Sequence, residues 1–273
     1  MAGKVRIGIS GWRYKPWRGD FYPEGLVQKK ELAYAAGIFS TIEINGTFYS
    51  LQRPQSFRSW ADDTPDGFVF ALKAPRYLTH MKRLKDFKAP LANFMANGLL
   101  ELGPKLGPIL WQLPPNFRFD EEKLRTFFAA LPRDTDAARR MAHRHDSRVA
   151  GKVSYAKMKN QPLRHALEVR HDSFRDPSAI KLLNDCSIGL VVADTVDWPL
   201  MFDVTADFVY CRLHGSEKLY YSGYDSRALT IWAKRIADWA RTVDVYVYFD
   251  NDAKVRAPFD AQALDKRLRK RRS

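Results

Sequence analysis

Seven residues able to act as acid, base, nucleophile or metal ligand stand at or just past the ends of short strand-like runs. They are Glu43, Lys73, Glu168, His171, Asp194, His214 and Asp250. Around them fall Ser10, Trp12, Tyr14, Asn45, Arg76, Gln112, Arg170, Arg212, Tyr221 and Asn251, residue types that hold a substrate by hydrogen bonding, charge or stacking. In TIEIN (41–45) alternate residues share a face, so Glu43 and Asn45 lie opposite Ile42 and Ile44. If helices cover the apolar face, Glu43 points into a barrel. There it must be paired or hydrogen-bonded, or it neutralises.

The four carboxylates Glu43, Glu168, Asp194 and Asp250 could supply a general acid and a general base. Glu43 and Glu168 end the second and fifth runs, so they should face each other across the mouth, and one is the expected base. A glycosidase would hold such a pair ~5–9.5 Å apart. Lys73 is expected to pair with Glu43, and a Schiff-base lysine is the alternative. His171 and His214 with the four carboxylates are suitable ligand types for Zn²⁺ or Mn²⁺, so a divalent metal is possible, although no cofactor is required. Lys73, Arg170 and Arg212 would compete with a cation. With Arg76 they favour an anionic substrate. The stretch SGWRYKPWRGDFYP (10–23) interleaves Trp12, Tyr14 and Trp17 with Arg13, Lys15 and Arg18. Those rings either stack a base or sugar or roof the barrel. The segment 214–226, with its glycines and tyrosines including Tyr221, reads as a lid over the site.

Eight strand-like runs must position these groups: 5–10, 41–45, 68–73, 109–113, 165–170, 188–194, 208–213 and 244–250. Helix-like stretches at 26–39, 54–63, 86–103, 120–132, 176–185, 226–243 and 259–270 separate most of them. The link from the sixth to the seventh strand has no convincing helix. Residues 133–164 form an extra helical and basic insert between strands 4 and 5. No Gly-rich nucleotide fingerprint follows any strand, which disfavours a doubly wound sheet. The pattern predicts a single (β/α)8 TIM barrel over residues 1–273, with its site at the C-terminal ends of the strands.

The motifs GISGW (8–12), FYP (21–23), EINGTFY (43–49), FALKAPRYLTH (70–80), GPILWQLPPNF (107–117), EVRH (168–171), YCRLHG (210–215) and VYVYFDND (245–252) run along nearly the whole chain. In this the chain resembles the YecE-like family, also filed as domain of unknown function seventy-two. The resemblance implies a TIM barrel and a shared site pattern, but no reaction. Two features depart from the broader pattern. Asp250–Asn251 stands where a pair of asparagines is usual, which adds a carboxylate, and the basic insert is longer than in compact members.

The chain has 273 residues and a net charge of +14. Residues 139–164 carry +7 and the tail 265–273 carries +5, so the remainder is nearly neutral. Two discrete basic segments point to a phosphate backbone or another polyanion, or to a solvated helix face and tail. No apolar run approaches membrane length and no secretory h-region opens the sequence, so a cytoplasmic protein without a membrane partner is expected. Cys186 and Cys211 read as reduced core thiols. Oligomeric state is not encoded in any pattern here. The expected function is a hydrolase or lyase acting on an anionic, phosphate-bearing or nucleic-acid-derived substrate. The alternatives are a non-catalytic nucleic-acid binder and a carbohydrate-active enzyme with paired glutamates.

Overall fold

A computed structural model describes residues 2–215 and 222–272. Eight parallel strands close into a barrel in sequence order. They are β1 Val5–Ser10, β2 Thr41–Ile44, β3 Val69–Lys73, β4 Leu106–Gln112, β5 His165–Glu168, β6 Gly189–Asp194, β7 Phe208–Leu213 and β8 Asp244–Phe249. The (β/α)8 expectation holds, and the register explains why a polar set can gather at one end. Ser10 lies beside Glu43, Lys73 beside Leu110, and Gln112 beside Glu168. Ile42, Ile44, Phe70 and Leu72 face the helices as part of the main apolar core. A second, smaller cluster, including Leu110, Ala166, Phe208 and Tyr246, fills the barrel interior. The barrel is therefore solid below its polar mouth.

Nine helices are present among the described residues: α1 Glu31–Ile38, α2 Gly46–Tyr49, α3 Pro54–Asp62, α4 Lys88–Ala96, α5 Glu121–Ala130, α6 Thr135–Ala142, α7 Pro177–Asp185, α8 Ser226–Trp239 and α9 Arg256–Arg272. Asp120, Asp134 and Asp225 cap α5, α6 and α8 by accepting a backbone N–H from the first turn. The stretch expected as one helix over 86–103 breaks after Ala96. Gly98 turns left-handed there, and a Cβ at this position would lie 2.5 Å from Pro54 Cα. Between β6 and β7 no helix forms, as expected. The insert rises as α6 against α4, turns at 143–149, and returns as extended chain to β5. One of its basic residues departs from the expected basic face. Arg164 pairs with Asp207 and Asp244 at the opposite end of the barrel from the mouth.

Where β1 meets β2, Gly8 faces Thr41. A methyl group at Gly8 would sit 1.8 Å from the Thr41 carbonyl oxygen. Gly8→Ala must push the two strands apart. It is expected to destabilise the protein by about 1–3 kcal/mol or more, read as a lowered urea midpoint with an unchanged m value.

Candidate functional site

The mouth is organised around one arginine. Arg212 reaches inward from the end of β7 and is completely buried. Its Nε and Nη2 donate to Glu43 at 3.1 and 2.9 Å, its Nη1 donates to Glu168 at 2.6 Å, and its Nη2 also donates to Asp250 at 2.6 Å. Three carboxylates on β2, β5 and the end of β8 thus converge on one guanidinium. Ser10 donates to Glu43 and accepts from Arg212 and from Asn45. Tyr210, two residues before Arg212 on the same inward face, donates to Glu43 at 2.6 Å. Gln112 donates to Glu168 at 2.9 Å, and Arg170 adds two more donors at 2.8 and 2.7 Å. The Arg170 guanidinium also stacks on Trp198, 3.5 Å from the ring centre.

His214 lies in the same layer, 3.1 Å from Asp250 through Nδ1 and 3.3 Å from Arg212 through Nε2. Arginine can only donate, so Nε2 must offer its lone pair and Nδ1 carries the proton toward Asp250. Burial alone would raise these carboxyl groups. Arg212, then Arg170 and Lys73, outweigh it for Glu168, which titrates well below the usual range. Asp250 is likewise held at about 2, chiefly by Arg212 and then His214 acting against burial. Glu43, Glu168 and Asp250 are balanced by Arg212, Arg170 and Lys73, three charges of each sign.

Lys73 departs from its expected partner. The Glu43 oxygens are already taken by Ser10, Tyr210 and Arg212, and no carboxylate among the described residues lies within ion-pair distance of the Lys73 amine. The amine sits 4.3 Å from the centre of the Phe48 ring. Burial first and Arg212 second, opposed by the carboxylates, lower its pKa to about 8. Above it opens a cleft of about 540 Å³. Lys73 and Asp250 line its depth, and Trp12, Tyr14, Asn45, Tyr49, Trp60 and Asp252 form its walls. Tyr14 is fixed by donating to the Ser10 carbonyl at 2.6 Å. Asp252 is pushed up to about 6 by burial and by the neighbouring Asp250 charge.

Several expected site residues lie elsewhere. Asp194 has the wrong parity: Val191 and Ala193 face inward, so its carboxylate points to the helix layer and accepts from Trp232 at 3.0 Å. His171 turns away to Ser173, where it caps the short turn Asp172–Arg175. Asn251 donates to Asp260 and to the Ser222 carbonyl behind the mouth. Arg76 is exposed outside the cleft, 5.7 Å from the Tyr49 ring. Trp17 is fully buried under Tyr14, so it roofs the barrel and cannot stack a ligand. Tyr221 and residues 216–220 of the expected lid lie outside the described residues. With Asp194 and His171 displaced, the expected metal-ligand set is not assembled. Among the described residues no group of three His, Cys, Asp or Glu side chains is placed to hold a metal ion.

Four important positions had not been anticipated. Tyr210 was legible in principle, because it alternates with Arg212 on β7. Asp252 sits inside the VYVYFDND motif, but its raised pKa depends on Asp250 and on burial. Trp60 and Trp198 come from α3 and from the helix-free link, and no local signal aims either of them at the mouth.

The sequence pattern described as "Protein of unknown function DUF72" matches residues 6–273, and the chain belongs to that family. The UPF0759 protein YecE of Escherichia coli K12 is 23% identical over 97% of this chain and 93% of its own length. A DUF72 family protein of Thermotoga maritima has a solved structure that matches with a TM-score of 0.76 at 26% identity, covering 97% of this chain and 99% of that one. A D-psicose 3-epimerase from Clostridium cellulolyticum matches with a TM-score of 0.51 at 11% identity, covering 98% of each chain, a likeness of fold.

Removing Arg212 leaves three carboxylates without their shared cation. Arg212→Met is expected to cost about 3–5 kcal/mol at neutral pH, measured by chemical denaturation. Folding lowers the pKa of Asp250 and Glu168, so the stabilisation is present above their unfolded values, ~4, and is lost as pH falls toward 2. The difference between wild type and Arg212→Met is therefore expected to shrink between pH 5 and pH 2.

Proposed function

Taking membership of the DUF72 family as the premise, we propose that this protein is an enzyme working by acid–base chemistry in the cleft at the C-terminal end of its barrel. The observation that carries this reading is Lys73. It is a lysine only 9% exposed, lacking an ion-pair partner among the described residues, at the depth of an open cleft. A structural lysine in such surroundings would be expected to bond a carboxylate. This one is spared because Arg212 occupies Glu43, Glu168 and Asp250.

The same saturation changes the roles expected from sequence. Glu43 and Glu168 are each held by several donors and completely buried, so neither is well placed as a general base, and a paired-glutamate glycosidase loses its main support. Arg212 has committed its donors to protein groups, so it positions Asp250 rather than clamping substrate. Asp252, with its raised pKa, is the better base. Lys73 in its protonated form would stabilise a developing oxyanion or protonate a leaving group. Arg13 at the rim and Lys73 below favour a substrate group carrying a phosphate or carboxylate. Trp12, Tyr14, Tyr49 and Trp60 offer flat surfaces for its ring or planar portion. Hydrolysis and elimination both fit one base and one acid across a polar cleft.

The pH profile has a defined sign. Catalysis needs Asp252 ionised, so activity falls below about pH 6, and it needs Lys73 protonated, so activity falls above about pH 8. In a screen of phosphate- and carboxylate-bearing metabolites, Lys73→Met is expected to lower kcat about a hundredfold or more. Asp252→Asn should abolish the acid limb. Full activity in both variants would sink the assignment. Without a substrate, amine-specific acylation with peptide mapping should show Lys73 reacting at pH 8 well ahead of the exposed lysines.

A further inference from the structure

A second cavity, about 350 Å³, opens beside the cleft. Its walls come from the end of α2, the turn Tyr77–Met81 after β3, α4 and the tip of the insert. Tyr49 lines both cavities, so they meet at its ring. That ring is 68% exposed, and Met81 in the groove is 65% exposed. Large apolar groups left this open in adjacent positions mark a surface that something covers.

The charge around the groove is one-sided. Among the described residues no aspartate or glutamate lines it. The exposed Arg76 flanks the Tyr49 ring and has no carboxylate within ion-pair distance among the described residues. Arg148 reaches the Tyr77 hydroxyl at 3.5 Å. Arg148 shares its charge with Asp146, which its Nε and Nη2 both reach and which also accepts from Asn93 and the Arg148 backbone N–H, so among the described residues the uncompensated cations here are Arg76, Arg144 and Lys152. Arg144 and Lys152, four residues either side of Arg148, are exposed and likewise without a carboxylate partner among the described residues. Two rings of the groove thus each have a cation beside them: Arg76 at Tyr49, and Arg148, shared with Asp146, at Tyr77.

We propose that this groove binds single-stranded nucleic acid, with bases against Tyr49 and Met81 and phosphates on Arg76 and the insert cations. The terminal nucleotide would pass Tyr49 into the cleft. This deepens the catalytic reading above and rests on it for what happens there. Rings with cations beside them suit the base and phosphate of successive nucleotides in a strand. An acidic peptide would satisfy the charge but has no use for a flat exposed ring shared with a polar cleft. A duplex hides its base faces and would leave the groove empty. The insert gains a purpose on this reading, because it raises Arg148 and Val149 to form the outer wall of the groove.

The test is fluorescence anisotropy of a labelled ten-nucleotide single strand against the full chain, in parallel with the matching duplex. Binding to the single strand is expected, with log affinity falling against log salt at a slope of about −2, as for about three phosphate contacts. Tyr49→Ala should weaken it about five- to a hundredfold. Met81→Glu, which places an anion in the groove, should weaken it at least as much. Arg144→Gln with Lys152→Gln should flatten the salt slope. Circular dichroism melts of each variant distinguish lost folding from lost binding. Absent single-strand binding overturns the proposal, as does equal affinity for duplex that none of these substitutions alters. A concentration-dependent dimer broken by Met81→Glu, without oligonucleotide binding, would instead assign the groove to a second copy of the chain. Lys73 acylation separates the two readings: its pH dependence should survive in Met81→Glu and in the Arg144→Gln, Lys152→Gln protein, whose substitutions lie outside the cleft. If Lys73 fails to react while the groove variants still lose the strand, the cleft chemistry falls and the binding surface stands.

Discussion

The desolvation of Arg212 is the interaction on which the rest of the site depends. A guanidinium with no exposure to water is tolerable only if its donors are met and its charge is returned. Here Glu43, Glu168 and Asp250 do both. They come from strands distant around the barrel, so closing the ion cluster also fixes where those strand ends sit. Such a cluster is poor evidence of stability, because its attraction mainly offsets the cost of burial. Its effect is geometric. It holds the mouth in one arrangement and removes the most obvious catalytic carboxylates from circulation.

That removal creates the chemistry of the cleft above. With Arg212 holding the carboxylates, Lys73 is left against an aromatic ring, in surroundings that weaken its hold on a proton. With Asp250 ionised by the same arginine, its charge makes the Asp252 proton harder to lose. A depressed lysine and an elevated aspartate share one cleft: burial is the main cause of both, and the cation one layer down adds to the first directly and to the second through Asp250. The network is thus both a plug and a support. Its lower part closes the barrel, and its upper edge, at Asp250 and Lys73, faces the cleft.

Most of the architecture was legible because the barrel obeys period-two alternation. Strands such as Val5–Ser10 and Phe208–Leu213 were readable to the residue, and the inward sets Glu43, Gln112, Glu168 and Arg212 followed from parity alone. Asp194 shows where parity fails. In the apolar run that forms β6 either phase is plausible, and only pairing with β7 decides that Ala193 is the residue facing in. Gly98 shows another limit. The helical pattern continues through it, but the chain leaves the helix after Ala96 and turns left-handed at Gly98, where Pro54 of α3 leaves room for no side chain. Lys73 shows a third. Its nearest plausible partner by strand order was Glu43, and a longer side chain from across the barrel arrived there instead.

By itself, the sequence determined the eight-stranded barrel, the end of the barrel that carries the polar groups, a set of four candidate carboxylates and the place of the insert. These follow from alternation, turn chemistry and strand count, which act over a few residues. Only the tertiary structure decided who pairs with whom. It put Arg212 at the centre, turned Asp194 and His171 away, freed Lys73, and brought Trp60 and Trp198 to the mouth. Pairing across a closed barrel depends on side-chain length and on competition among groups hundreds of residues apart. The outcome is set by which arrangement leaves no buried charge uncompensated, a condition that exists only once the barrel has closed.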